Sequence, residues 1–171
     1  CNIGTVYSDL REYDKAFEYY FKSLSIREKV LGFEHPNTAV SYNCLGTTYL
    51  DLGEYEKALE YYSKSKSILE KVLGVEHSDT ANSYNSIGDV YLDLSEYDKA
   101  LEYYSKSLSI REKVLGKEHP AIATSYNNIG YAYDSLGDYD KALEYCFKAL
   151  SIREKALGEE HPDTATSYNN I

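Results

Sequence analysis

The chain has 171 residues, 43% of them hydrophobic and 27% charged, yet its apolar runs are only a few residues long, far short of the ~18 that a membrane-spanning helix needs. Eighteen Lys and Arg stand against 28 Asp and Glu, a formal net charge of -10, which repels phosphate backbones and anionic lipid at long range and argues against nucleic acid and membrane partners. The three cysteines, Cys1, Cys44 and Cys146, are odd in number and lack C-x-x-C spacing, and the N-terminus has no basic, apolar, cleavable leader, so the reading is of a soluble, cytoplasmic protein without a disulfide framework.

Internal similarity decides the architecture before any single element does. Tyr42-Asn43-Cys44-Leu45-Gly46 returns as Tyr84-Asn85-Ser86-Ile87-Gly88 and as Tyr126-Asn127-Asn128-Ile129-Gly130, so the glycines fall at 46, 88 and 130, a period of 42. Gly4 lies one period earlier, and Tyr168-Asn169-Asn170-Ile171 begins another copy.

Each copy holds two helical patterns. The first, helix A, covers 1–10, 36–52, 78–94, 120–136 and 162–171; in 120–136, Ala123, Tyr126, Ile129, Gly130 and Tyr133 recur at the three- and four-residue steps of one helix face. Pro36, Pro120 and Pro162 suit the first helical position, where a missing N–H costs nothing. Asn37, Asp79 and Asp163 follow, the two aspartates placing negative charge at the positive end of the helix dipole. Gly53 and Gly137 reverse the chain after helix A, but Arg11 and Ser95 hold that place in other copies, which predicts that no left-handed backbone is required there.

The second pattern, helix B, is clearest at 138–157, where Tyr139, Ala142, Leu143, Tyr145, Cys146, Ala149, Leu150 and Ile152 form a broad apolar stripe. Glu18–Lys22, Glu60–Lys64, Glu102–Lys106 and Glu144–Lys148 are i,i+4 pairs in the favourable order on its exposed side. Gly32, Gly74, Gly116 and Gly158 close helix B in every copy. A single helix pair cannot bury its own stripe, so successive pairs must stack. The expectation is an all-α chain of seven complete helices and two partial A helices, with residues 1–171 forming one repeat array that starts and ends within helix A.

The order Tyr126, Ile129-Gly130, Tyr133, Gly137, Tyr139, Ala142, Tyr145, Ala149 resembles the tetratricopeptide signature of aromatic, Leu-Gly, Tyr, Gly, Tyr, Ala, aromatic, Ala. The 42-residue period, with Ala149 to Gly158 leading into His161-Pro162-Asp163, is similar to the kinesin-light-chain subtype of that family. The resemblance implies a right-handed superhelical solenoid of antiparallel helix pairs, with A helices lining a concave surface. It implies a non-enzymatic scaffold that binds a protein or peptide, with no cofactor.

Residue patterns that suggest chemistry have simpler readings. Nineteen of the 20 tyrosines fall into five recurring positions on the packing stripes, Tyr131 being the exception. His35, His77, His119 and His161 share one loop position and cannot converge on one metal ion, because packed helices lie about 8–10 Å apart; a loop or capping role follows. Ser23, Ser65 and Ser107 share their position with Ala149, which calls for smallness at a helix crossing rather than a nucleophile.

The remaining candidates lie on helix A. Asn is a mediocre helix former, and its recurrence as Asn43, Asn85, Asn127 and Asn169, with Asn2, Asn128 and Asn170 beside that register, points to amides that pair with an extended peptide backbone in the groove the resemblance implies. Thr47, Asp51, Asp89, Asp93 and Asp134 lie on or beside the same flank, Tyr131 offers an aromatic contact, and no helix A segment contains Lys or Arg. The groove is therefore expected to select a neutral or basic peptide. Two other readings are a regulatory segment of a larger signalling protein and a self-associating rod; apolar Ile3, Val6 and Ile171 near the ends predict end-to-end stacking.

Overall fold

The computed structural model describes residues 3–169; Cys1, Asn2, Asn170 and Ile171 lie outside the described residues. Nine helices and no strands occur among the described residues: α1 (Ile3–Asp9), α2 (Tyr13–Leu31), α3 (Pro36–Asp51), α4 (Tyr55–Leu73), α5 (Ser78–Asp93), α6 (Tyr97–Leu115), α7 (Pro120–Leu136), α8 (Tyr139–Leu157) and α9 (Pro162–Asn169). Odd-numbered helices are A helices and even-numbered ones are B helices. The chain divides into two compact units, Cys1–Val75 and Glu76–Ile171. The first holds the hairpins α1–α2 and α3–α4, the second α5–α6 and α7–α8 followed by α9. None of the described helices is long and apolar enough to cross a membrane.

The A helices begin on one repeated cap. His35, His77, His119 and His161 each accept through Nδ1 a hydrogen bond of 3.1 Å from the backbone N–H two residues on, that of Asn37, Asp79, Ala121 and Asp163. The imidazoles thus take the place of the usual Ser, Thr, Asp or Asn cap, and the capping role expected of them holds. Pro36, Pro120 and Pro162 are the first residues of their helices.

One expectation is overturned. Arg11 and Ser95, at the turn between helices A and B, both have φ of 59°, in the same left-handed region as Gly53 at 72° and Gly137 at 87°. The cause is the backbone closure shared by all four turns, in which Glu12, Glu54, Glu96 and Asp138 each donate an N–H to the carbonyl five residues earlier, that of Tyr7, Tyr49, Tyr91 and Tyr133, at 2.9 Å. This is the six-to-one bond that ends a helix on a left-handed residue, and it imposes the conformation whatever side chain is present. Gly32, Gly74, Gly116 and Gly158 differ: with φ of 84–90° and ψ of 152–169° they occupy a region open essentially to glycine alone, and no copy substitutes them.

The core clusters join a B helix to the A helix that follows it, with small residues at the crossings. In the first unit Ala16, Tyr20, Leu24 and Leu45 form one core cluster; in the second, Ala100, Tyr104, Ile129 and Ala132 form another. Ser65 and Ser107 are buried with hydroxyls that have no partner among the described residues, and Ala149 is equally buried at the same register, in keeping with a requirement for smallness. Aromatic rings stack along each hairpin, Tyr49 on Tyr61 and Tyr91 on Tyr103 with centroids 5.4 Å apart. The four Glu–Lys pairs expected on the B helices all form at 2.5 Å in exposed positions.

Candidate functional site

In the first unit, α3 places Asn43 half-buried and Thr47 and Asp51 exposed. The Thr47 hydroxyl lies 3.1 Å from the Asn43 carbonyl and shares a 3.0 Å hydrogen bond with the Tyr62 hydroxyl. Desolvation raises the Asp51 carboxyl above the usual aspartate range, while Arg11 and a hydrogen bond from Ser8 pull it down.

In the second unit, three of the candidates on α5 and α7, Asn85, Asp89 and Asn128, form one polar network. Asn85 Nδ2 donates to Asp89 Oδ2 at 3.1 Å, the Tyr104 hydroxyl donates to Asp89 Oδ1 at 2.8 Å, and Asn128 Nδ2 donates to Asn85 Oδ1 at 2.9 Å. Burial raises the Asp89 carboxyl and Asp93 adds to the effect; the two hydrogen bonds and the Arg111 charge oppose it. Asp93, Asp134 and Asn169 are exposed, and Asn127 is half-buried. Asn127 Oδ1 has no partner among the described residues. One period after the Asn85–Asn128 pair, the residues in register are Asn127 and Asn170, the latter outside the described residues.

Arginines on the B helices, to which the sequence reading gave no role, reach the adjoining A helices, the next one in each case and, for Arg111, the preceding α5 as well. Arg27 donates to the Asn37 carbonyl and Ser41 Oγ at 2.7 and 2.8 Å, Arg111 to Ser125 Oγ and Asn82 Oδ1 at 2.7 and 2.9 Å, and Arg153 to the Asp163 carbonyl and Ser167 Oγ at 3.0 and 2.8 Å. The absence of bases from helix A therefore does not leave its face without positive charge, because Arg111 acts on Asp89 from α6.

Beside this network lies a cavity of about 600 Å³, lined by Asn127, Asn128, Tyr131 and Asp134 of α7 and by Leu143 and Cys146 of α8. Its lining includes a departure from the repeat. Tyr20, Tyr62 and Tyr104 press their rings against Gly4, Gly46 and Gly88 so closely that a Cβ on those glycines would fall 2.6–2.7 Å from ring carbons. Their hydroxyls meet Thr5 Oγ1 at 3.2 Å, Thr47 Oγ1 at 3.0 Å and Asp89 Oδ1 at 2.8 Å. In the fourth hairpin, residue 146 is Cys where those three are Tyr, and residue 131 is Tyr where the hydroxyl partners stood. The displaced aromatic does not refill the space: Tyr131 is 60% exposed, whereas Tyr104 is 1% exposed. The signal was present in the sequence as two columns read down the period, Tyr-Tyr-Tyr-Cys and Thr-Thr-Asp-Tyr.

Comparison with known proteins accords with this architecture. The tetratricopeptide repeat family matches over residues 1–71, 39–113, 79–146 and 135–171. No curated protein matches the chain at a significant level. Among solved structures, BtubC (BKLC) from P. vanneervenii is 27% identical with a TM-score of 0.81, covering 94% of this chain and 63% of that one. A kinesin light chain-like protein of Podosopora anserina, with nearly identical TPR-like repeats, is 26% identical with a TM-score of 0.82, covering 98% of this chain and 80% of that one. The chain thus spans less than two thirds of BtubC. The 42-residue period, the paired helices and a family match that runs from residue 1 to residue 171 lead to one conclusion: the chain belongs to the tetratricopeptide repeat family.

Proposed function

We propose that this array is a non-enzymatic interaction scaffold whose A-helix face in residues 76–171 holds an extended peptide of neutral or basic character. Tetratricopeptide repeats are protein-interaction scaffolds, and the finer reading rests on one observation: the cavity beside α7 is rimmed by amides and by the exposed carboxylate of Asp134, with Asp93 exposed on α5 and no base on either helix. Asn85 and Asn128 are spent on each other and on Asp89. The peptide backbone is therefore assigned to Asn127 and Asn169, and the charge selection to Asp93 and Asp134 rather than to the internally bonded Asp89. Asn43, Thr47 and Asp51 carry side chains of the same kind on α3 in the first unit.

A panel of acidic and basic peptides, measured at two salt concentrations, tests this. Basic peptides bind more tightly at low salt, and Asp93→Asn with Asp134→Asn weakens them by roughly two- to tenfold. Tighter binding of the acidic peptides, or basic peptides indifferent to the double substitution, would remove the reading.

A further inference from the structure

We propose that Asp89 is a positioning residue for the A-helix face: through Asn85 it turns the side-chain amide of Asn128 so that a carbonyl oxygen, and not an N–H, meets the bound peptide. This deepens the peptide-binding reading above and rests on it. Asn85 and Asn128 are occupied by one another and by Asp89, but their bonds leave one polar atom over, and the direction of the bonds decides which atom it is.

An asparagine side chain carries donors at one corner and an acceptor at the other, and its partners tell the two apart. The relay starts at Asp89, because an ionised carboxylate can only accept. The Tyr104 hydroxyl donates to Asp89 Oδ1 at 2.8 Å, and Asn85 Nδ2 donates to Asp89 Oδ2 at 3.1 Å. With Nδ2 turned to Asp89, Asn85 has Oδ1 to offer α7, and Asn128 Nδ2 donates to it at 2.9 Å. Asn128 Oδ1 is then the free end of the relay, and none of the described residues donates to it. Asn128 is half-buried on α7, as Cys44 and Ser86 are at the same register of α3 and α5. What completes the relay is a donor, either a backbone N–H of an extended chain or the N–H of a basic side chain. A carboxylate brought to the same place would set oxygen against oxygen. This gives the face a second reason to prefer basic peptides, separate from its net charge.

The carboxylate is more than the helix crossing requires. In the register of Asp89 the other copies hold Thr5, Thr47 and Tyr131, and a threonine is enough to meet the ring, as Thr47 meets the Tyr62 hydroxyl at 3.0 Å. A threonine has no second oxygen with which to hold an amide. The direction of the relay also depends on charge. Protonated at Oδ2, Asp89 would donate to Asn85 Oδ1, and both amides must turn over to keep their bonds, which leaves Asn128 Nδ2 outermost. Burial raises the Asp89 carboxyl and Asp93 of α5 adds to this, while the bonds from Tyr104 and Asn85 and the charge of Arg111 on α6 oppose it. Tyr131 of α7, which acts on Tyr104, is the titratable group on the remaining side.

The test uses the whole chain and two variants. Asp89→Thr keeps a hydroxyl partner for Tyr104 and removes the anchor of the relay, whereas Tyr104→Phe keeps the anchor and removes the phenol's bond. In isotope-labelled protein without ligand, the side-chain amide signals of Asn85 and Asn128 should move with pH at the midpoint of the Asp89 carboxyl carbon, and those of Asn127 should not. The coupling should survive in Tyr104→Phe and vanish in Asp89→Thr. An Asn128 signal that ignores Asp89, that still titrates in Asp89→Thr, or that is lost equally in Tyr104→Phe overturns the proposal. In the second arm, the hexapeptide acetyl-Ala-Lys-Ala-Lys-Ala-Lys-amide is compared with analogues in which one backbone N–H at a time is an ester oxygen. At one position the ester should weaken binding about fivefold in the wild type and in Tyr104→Phe, and less than about twofold in Asp89→Thr. An ester effect that is absent, or the same in all three proteins, removes the role of Asp89 and leaves the peptide-binding reading standing. If neither this peptide nor any of the basic panel binds the wild type, the peptide-binding reading fails, and the positioning role falls with it whatever the amide signals show.

Discussion

The hairpins α5–α6 and α7–α8 are built from the same pattern 42 residues apart, yet they solve the same crossing differently. In the first, Tyr104 is packed against Gly88 and tied by its hydroxyl to Asp89, and through Asp89 to Asn85 and Asn128. In the second, the ring is gone, Cys146 Sγ and the Ala142 carbonyl pack close to Gly130, and the aromatic at residue 131 lies largely in solvent. A repeat array is stabilised by the sum of its units and interfaces, so one unit can give up internal packing while its neighbours hold the register.

The largest expected effect comes from making the third hairpin resemble the fourth. Tyr104→Cys removes a buried ring and its hydroxyl bond and should cost about 3 kcal/mol, whereas Cys146→Tyr should cost nothing and raise the denaturant midpoint, most of all with Tyr131→Thr restoring a hydroxyl partner. Urea unfolding of the three variants measures this. A loss in Cys146→Tyr as large as that in Tyr104→Cys would mean that the cavity is not ring-shaped.

The two glycines sharpen the contrast. In a helix, Gly→Ala gains about 1 kcal/mol of propensity. At Gly88 the new methyl would lie 2.6 Å from the Tyr104 ring, and overpacking of about 1–3 kcal/mol outweighs that gain. At Gly130 the nearest atoms are Cys146 Sγ at 3.2 Å and the Ala142 backbone carbonyl at 3.3 Å, a milder crowding than at Gly88. Gly88→Ala should therefore destabilise by about 1–2 kcal/mol and Gly130→Ala should cost less, with Tyr104→Cys rescuing Gly88→Ala. A rescue that fails would mean the Gly88 clash lies with the backbone and not the ring.

A smaller difference separates Ser107 from Ala149. The Ser107 hydroxyl is buried without a partner among the described residues, while its counterpart in the fourth hairpin has no hydroxyl to satisfy. Ser107→Ala should gain about 1 kcal/mol and Ala149→Ser should cost about as much. Thermal melts that move in the same direction for both would break the equivalence.

The helices, their order and their caps were legible in the sequence because they follow from periodicity and from residues that recur in register, such as Pro36, Pro120 and Pro162 or the four capping histidines. The conformation of Arg11 and Ser95 was not, because it is imposed by the backbone bonds that close the turn and leaves no mark on side-chain choice. The reach of Arg111 was missed for a different reason: charge was assigned to the helix that carries it, and a long side chain delivers it to the helices on either side. Cys146 was counted as one more apolar residue on the stripe. Periodicity records polarity, whereas the cavity depends on volume, and only comparison with the tyrosines one, two and three periods earlier exposes it.

The smallest effect, a change of slope with pH, distinguishes Asp89 from its counterpart Tyr131, which carries no carboxyl. Burial holds the Asp89 carboxyl above its ordinary value, and the hydrogen bonds from Tyr104 and Asn85 offset this only in part. Above that raised value both the folded and unfolded chains carry the charge, and the fold bears the cost of burying it. As the pH falls through the raised value, the folded chain takes up a proton that the unfolded chain does not. The cost is relieved progressively down to the unfolded aspartate value near 3.9. Asp89→Asn keeps an oxygen to accept from Tyr104 and Asn85 but has no charge to lose. Its advantage over the wild type should be greatest at about pH 7.5 and should shrink toward about pH 4.5, read as the difference between urea midpoints so that the titration of the other carboxylates cancels. A constant difference across that range would show that Asp89 titrates alike in the folded and unfolded chains, and that the Tyr104 and Asn85 bonds fully compensate its burial.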